Sequence, residues 1–191
     1  MHISANIDDC ALIIDNFLPV DLFTKISNFN FVAEESSFDK WDDNLFKDQD
    51  KNLTVTEVKQ SKIFAEIKKD KIKTDYSIFK DFLNTFTKCP FIPYQKNSYI
   101  HICYYEYKKY SGINWHNDGD YTLNYSFYIH DEWDGNWGGE TLIDTGRGLP
   151  LASYPYPNTL LTIKNNILHK VCPVSGPIKR KVLQVRGIFY E

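Results

Sequence analysis

The sequence has no apolar run approaching the roughly 20 residues that a membrane-spanning helix needs. Its first residues, Met1-His2-Ile3-Ser4-Ala5-Asn6-Ile7-Asp8-Asp9, lack the basic-then-apolar pattern of a signal peptide. These two absences predict a cytoplasmic protein with no membrane partner. Excess positive charge is also missing: 22 Lys and Arg stand against 25 Asp and Glu, a formal net charge of −3. No overall basic field therefore draws in nucleic acid, which makes a nucleic-acid partner unlikely. The four cysteines, Cys10, Cys89, Cys103 and Cys172, form neither a C-x-x-C pair nor a zinc-finger spacing. Buried thiols in a reducing compartment account for them. There is no internal repeat, low-complexity tract or linker, so residues 1–191 are expected to form one domain large enough to bury a core.

Aromatic residues are abundant at 16%, with 13 Tyr and 13 Phe, and most of these rings are expected in the core. Leu12 to Phe17 has the texture of a short strand, broken by Leu18-Pro19. Leu22, Phe23, Ile26 and Phe29 then recur at helical spacing. Residues 34–50 are polar and loop-like, and Thr54 to Val58 suits an edge strand. The lysine-rich stretch from Lys62 to Lys73 is expected to be a solvated helix face. Tyr76, Phe79, Phe82, Leu83 and Phe86 form a second amphipathic pattern, ended by Cys89-Pro90. After Tyr94 the texture turns to strands: Ser98 to Tyr107, Leu123 to Ile129, Glu140 to Ile143, Thr159 to Ile163, Leu168 to Val174 and Lys181 to Tyr190. Gly, Asn, Asp and Pro clusters separate them. The expected fold is mainly β: helical support over about 1–93 backs a sheet sandwich over about 94–191.

The densest chemistry lies at His116-Asn117-Asp118, followed 51 residues after the Asp by His169 and 11 residues later by Arg180. Two imidazoles and one carboxylate can hold one face of an octahedral Fe(II) and leave three positions open. At a strand or its end, residues i and i+2 point the same way, so His116 and Asp118 can reach one ion while His169 arrives from elsewhere. Zinc accepts the same donor atoms. In the last strand Arg180, Val182, Gln184 and Arg186 share one face. A guanidinium there stays charged in a partly apolar pocket and matches a carboxylate with two parallel hydrogen bonds.

The residues around these ligands resemble the 2-oxoglutarate and Fe(II)-dependent oxygenases, nearest to the prolyl-4-hydroxylase-like branch. The resemblance runs from about Leu12 to Phe189. Ile13-Ile14-Asp15-Asn16-Phe17-Leu18-Pro19 is similar to an early strand and helix start of that superfamily. Tyr128-Ile129-His130-Asp131-Glu132-Trp133-Asp134 and Gly138-Gly139-Glu140-Thr141-Leu142 resemble the hairpin after the metal motif. Pro157-Asn158-Thr159-Leu160-Leu161 and His169-Lys170-Val171-Cys172-Pro173-Val174 resemble the two strands around the distal histidine. The resemblance implies a double-stranded β-helix core, jelly-roll or cupin-like. It implies Fe(II) on His116, Asp118 and His169, with 2-oxoglutarate as co-substrate and O₂ as oxidant. The products would be succinate, CO₂ and a hydroxylated C–H bond. Arg180, with Lys179 as the rival, would anchor the co-substrate. Tyr128 and Tyr107 would contact it, and Tyr105 is nearly as good a candidate as Tyr107. The resemblance makes a prolyl or other amino-acid side chain, on a protein or peptide, or a small molecule the expected substrate.

Trp115, Asp120, Tyr121 and Trp137 flank the motif as candidates for the substrate mouth, although Trp115 also suits a core position. His130 suits a loop position, and His101 a satisfied core position or one beside the ligands. Two other functions fit part of the pattern. Arg180 and Arg186 are spaced as R-x₅-R, which resembles the terminal arginines of AlkB-type nucleic-acid dealkylases. A cupin-like metal-binding or sensor module without turnover would have the ligands but no need of Arg180.

Overall fold

The computed structural model describes residues 1–7, 10–35, 58–95, 98–119 and 121–188. Of the loop expected over 34–50, Glu34–Glu35 form a short strand and 36–50 lie outside the described residues, as does most of the edge strand expected over 54–58. In chain order, the first half contributes β1 (His2–Ile7), β2 (Ala11–Asp15), α1 (Val20–Ser27), β3 (Glu34–Glu35), β4 (Val58–Gln60), β5 (Ala65–Lys68), β6 (Lys71–Thr74) and α2 (Ser77–Lys88). The second half contributes β7 (Tyr99–Tyr107), β8 (Ile113–His116), β9 (Leu123–Tyr128), β10 (Thr141–Ile143), β11 (Leu151–Ser153), β12 (Leu160–Ile163), β13 (His169–Val171) and β14 (Arg180–Ile188).

Two antiparallel sheets result. The larger runs β1-β2-β12-β9-β14-β7-β4-β3, with β5 also on β7 and β6 on β5. The smaller runs β11-β10-β13-β8. Period-two alternation divides each central strand between two cores. On β7, Ile100, Ile102 and Tyr104 face the helices, while Cys103, Tyr105 and Tyr107 face the small sheet. On β14, Leu183 and Val185 go to the helix side and Val182 to the inter-sheet side. Ile113, Ile143 and Val171 meet that inter-sheet core from the small sheet. This is the double-stranded β-helix arrangement that the motif order implied.

The helix-side core is built on rings. α2 buries Phe79, Phe82, Leu83 and Phe86 of the expected stripe, while Tyr76 stands exposed just before the helix. Phe17 meets Phe127 at 5.6 Å between centroids and Phe82 at 6.2 Å, both edge to face. Burial of each such ring contributes about 1.5–3 kcal/mol, so the helices hold to the sheet mainly through this cluster.

The stretch from Lys62 to Lys73 is not a helix. It forms most of the β5–β6 hairpin, with Lys69 and Asp70 at φ of 49° and 60°. Two consecutive positive φ angles are the signature of a type I′ turn, whose twist suits a two-residue hairpin. Buried Ala65 and Ile67 alternate with Glu66 and exposed Lys68, and this period of two outweighs the lysine content. Opposite charges sit across the ladder, Lys73 Nζ lying 3.4 Å from Glu66. The part before Tyr94 therefore contributes β-strands as well as helical support.

Asn158 fastens the two halves together. It is buried, with φ of 57°. Its Oδ1 accepts from Leu18 N and its Nδ2 donates to Leu18 O, each at 2.9 Å. Its carbonyl accepts from Phe17 N at 2.9 Å, and its own N–H donates to Tyr128 O at 3.1 Å. Asn158→Ala leaves a buried N–H and a buried carbonyl unpaired and keeps a left-handed backbone at an alanine. The expected loss is about 2–4 kcal/mol, seen as a lower urea midpoint with an unchanged slope.

Candidate metal centre

His116 ends β8 and His169 begins β13. The two are direct cross-strand partners, with ring centroids 4.4 Å apart. Asp118 lies two residues beyond His116, in a loop whose next residue, Gly119, takes φ of 68°. One donor atom from each of His116, Asp118 and His169 lies within 4.8 Å of the others, and no other such cluster occurs among the described residues. His169 Nε2 and Asp118 Oδ2 are 3.2 Å apart.

Backbone carbonyls set both tautomers. His116 Nδ1 is 2.7 Å from Asn114 O, and His169 Nδ1 is 3.0 Å from Ile167 O. A carbonyl only accepts, so each Nδ1–H donates to it and Nε2 is the ring atom left to face a metal. Burial, then the His169 charge, lowers the His116 pKa to about 4, so the ring is neutral at pH 7. Burial pushes the Asp118 carboxyl up, but its bond to His169 and the charges of Arg186, His169 and His116 outweigh this and hold it at about 2. Two imidazoles and one carboxylate fit a divalent cation.

Arg180 lies at the other end of the same pocket, almost fully buried at 2% exposure. Its guanidinium sits over the Tyr107 ring at 4.7 Å and the Tyr128 ring at 5.0 Å. Nη2 donates to Tyr128 Oη and Thr141 Oγ1, both at 3.3 Å, while Nε has no hydrogen-bond partner. Among the described residues, no carboxylate lies within 4.0 Å of it. A buried cation with an orphaned donor and no anion fits a bound carboxylate. The cavity between triad and arginine measures about 30 Å³.

The structure separates alternatives that the sequence left open. Lys179 points outward, half exposed, and pairs with Glu106 at 2.7 Å, so only Arg180 of the two faces the pocket. Tyr107 stands under Arg180, whereas the Tyr105 hydroxyl accepts from Arg186 Nη1 at 3.3 Å. His130 is a buried loop residue, bonded to Pro155 O and to Lys181 N and not to the triad. His101 is buried but not satisfied, since its Nδ1 has no hydrogen-bond partner. Trp115 is 38% exposed under Lys170 Nζ and is not a core residue. Trp137 packs against Trp133 and the backbone of Gly176, away from the triad, because Gly176 leaves a gap that the indole fills. Tyr121 does adjoin the metal end, 5.4 Å from the Arg186 guanidinium, and Asp120 lies outside the described residues.

Sequence reasoning missed Asn124, Thr141 and the roles of Gln184 and Arg186. Gln184 Nε2 donates to Asn124 Oδ1, and Asn124 Nδ2 donates to Asp118 Oδ2. Ser126 Oγ donates to Gln184 Oε1 at 3.0 Å. Alternation along β14 put Gln184 on the Arg180 face, but nothing in the sequence pointed to Asn124.

Two neutral imidazoles give the metal-free protein a pH dependence. His116 and His130 both have folded pKa values lowered from 6.5 to about 4, burial being the largest cause in each. The unfolded chain then binds more protons, so stability present above pH 6.5 is lost as the pH falls towards 4. Each group removes up to about 3 kcal/mol by the bottom of that window. Urea unfolding at pH 7 and pH 5 is expected to show this loss, and His130→Gln to remove one of its two parts. A flat profile over that range would mean that the rings are not held neutral.

Comparison with known proteins agrees with this geometry. Residues 101–185, which carry all three triad residues and Arg180, match the family model described as the 2OG-Fe(II) oxygenase superfamily. A comparison with curated proteins found no match. Among solved structures, the chain is similar to a prolyl-4-hydroxylase from Pseudomonas putida at 13% identity and a TM-score of 0.62, covering 95% of this chain and 93% of that one. An oxidoreductase of the 2OG-Fe(II) oxygenase family from Burkholderia pseudomallei matches at 13% identity and 0.67, covering 94% and 85%. A prolyl hydroxylase from Trichoplax adhaerens, solved with a peptide fragment of the hypoxia inducible factor oxygen degradation domain, matches at 13% and 0.61, covering 93% and 83%. At such identities the likeness to these structures is one of fold. The stretch that matches the superfamily model thus carries the triad and Arg180, and the fold around it is the one these structures share.

Proposed function

We propose that this protein is a dioxygenase that hydroxylates an unactivated C–H bond of a prolyl or other amino-acid side chain, or of a small molecule, with release of succinate and CO₂. The observation that carries the reading is Arg180: a buried guanidinium with no carboxylate partner among the described residues, aimed into the pocket that ends at the triad. A metal-binding module without co-substrate gains nothing from an uncompensated buried cation, whose desolvation is costly.

His116, Asp118 and His169 would hold Fe(II), and Arg180 would hold the distal carboxylate of 2-oxoglutarate. Bound iron and co-substrate supply the oxidising chemistry, which amino-acid side chains lack. The chain's own residues do the rest. The carbonyls of Asn114 and Ile167 hold each Nδ1–H, so both Nε2 lone pairs face the same point. Tyr107 and Tyr128 wall the guanidinium with rings, which lowers the local dielectric and strengthens its attraction for an anion. Ile113, Leu161, Ile163 and Val171 line the same pocket and exclude water from it. The Trichoplax relative was solved with a peptide, which supports a peptidyl side chain as the substrate class to test first.

Anaerobic addition of Fe(II) and then 2-oxoglutarate is expected to produce the visible charge-transfer band of a chelated 2-oxo acid. Arg180→Ala should weaken 2-oxoglutarate binding by at least about 30-fold, the loss of one member of a buried charged pair, with metal binding nearly intact. His116→Ala or Asp118→Ala should abolish tight Fe(II) binding. Unchanged co-substrate affinity in Arg180→Ala removes the anchor, and retained metal in both ligand variants removes the centre.

A further inference from the structure

The three ligands are oriented by different means. His116 and His169 belong to paired strands and are fixed by carbonyls two residues back. Asp118 sits in a loop, and its carboxylate is held by side chains from β9 and β14 instead. Arg186 Nη2 donates to Asp118 Oδ1 at 3.0 Å, while Oδ2 takes Asn124 Nδ2 and lies 3.2 Å from His169 Nε2. Asn124 and Arg186 are cross-strand partners, so they close on the carboxylate from adjacent strands. Arg186 is itself confined. Its guanidinium lies 5.4 Å from the Tyr121 ring and 5.8 Å from the Tyr105 ring, and Nη1 donates to the Tyr105 hydroxyl. The side chain is 12% exposed and that of Asp118 8%.

The two carboxylate oxygens therefore have different neighbours. Oδ2 faces His169, and Oδ1 is occupied by a charge-assisted bond, about twice as strong as a neutral one. Resting on the reading above, we propose that Arg186 is a positioning residue that makes Asp118 a one-oxygen donor. Oδ1 is withheld by the guanidinium, while Oδ2 keeps a lone pair for the metal beside its bond to Asn124. The consequence is coordinative. Two imidazoles and one carboxylate oxygen leave three positions of an octahedral ion open, whereas a carboxylate giving both oxygens leaves two. A 2-oxo acid chelating through two atoms, together with O₂, needs all three. Arg186 thereby keeps room for the co-substrate without touching it. The positive charge also offsets that of the metal, so it does not strengthen cation binding.

The test uses the full-length protein loaded with Co(II), whose visible absorption reports coordination number, and titrated with 2-oxoglutarate. Arg186→Met, which keeps bulk and removes the charge, is expected to bind Co(II) within about threefold of the parent, below the tenfold cost usual for a lost ligand-orienting partner. Its Co(II) spectrum before co-substrate should differ from the parent's. Its 2-oxoglutarate affinity should fall about tenfold or more. Arg186→Lys, which can still reach Oδ1 with a cation, should recover part of that affinity and the parent spectrum. Should Arg186→Met fail to fold by circular dichroism, Arg186→Gln is judged by the same measurements. Unchanged spectrum and co-substrate affinity overturn the assignment. So does a tenfold or greater loss of Co(II) affinity, which would make Arg186 an aid to metal binding as such. A parent protein that binds neither Co(II) nor 2-oxoglutarate would defeat the underlying functional reading and not this assignment alone.

Discussion

Strand β14 is paired along both edges and buried on both faces, and the other parts of the molecule are arranged against it. β7 takes one edge over nine registered pairs and β9 the other over six. Its helix-side residues close the phenylalanine core, and its opposite face carries Arg180, Val182, Gln184 and Arg186 along one line. A shift of one residue in either pairing would turn both arginines into the aromatic core, where neither has an acceptor. The hydrophobic pattern and the charged pocket thus demand the same register, and each protects the other from slippage.

The pocket is also an electrostatic arrangement. Among the described residues, Asp118 brings one negative charge to it and the two arginines bring two positive ones. A divalent ion would add further positive charge. Such a site suits anionic guests, because burying uncompensated cations side by side is costly. The two neighbouring tyrosines of β7 divide between the arginines, Tyr107 under Arg180 and Tyr105 against Arg186. Phenol rings tolerate adjacent cations while keeping water away.

How much of this could be read in the sequence follows from what each feature depends on. The triad was legible because a metal would demand specific donor atoms at short range, and His116-Asn117-Asp118 supplies two of them within three residues. The α2 stripe was legible because its rings recur at helical spacing, and the central strands because they are long and β-rich. The β5–β6 hairpin was not, since the many lysines masked an alternation only four residues long on each side of the turn. β1 was not legible because His2–Ile7 is largely exposed and carries little apolar alternation. Asn124 and Thr141 were invisible because their roles come from tertiary neighbours, and a lone Asn or Thr in a strand carries no spacing signal. Lys179 and Arg180 were indistinguishable by distance from His169, and only the direction of each side chain separates them.

Asn158 reaches Leu18 across 140 residues of chain, and β2 pairs with β12 over a similar separation. During synthesis from the N-terminus, β2 and the Phe17 ring therefore emerge long before the strands that will cover them. A β-topology dominated by such distant pairings closes late and slowly. Until residues 158–163 have left the ribosome, β2 has no partner on its inner edge, and an apolar strand with an open edge readily pairs with another chain. The contacts that seal the finished molecule are thus the ones its nascent form acquires last.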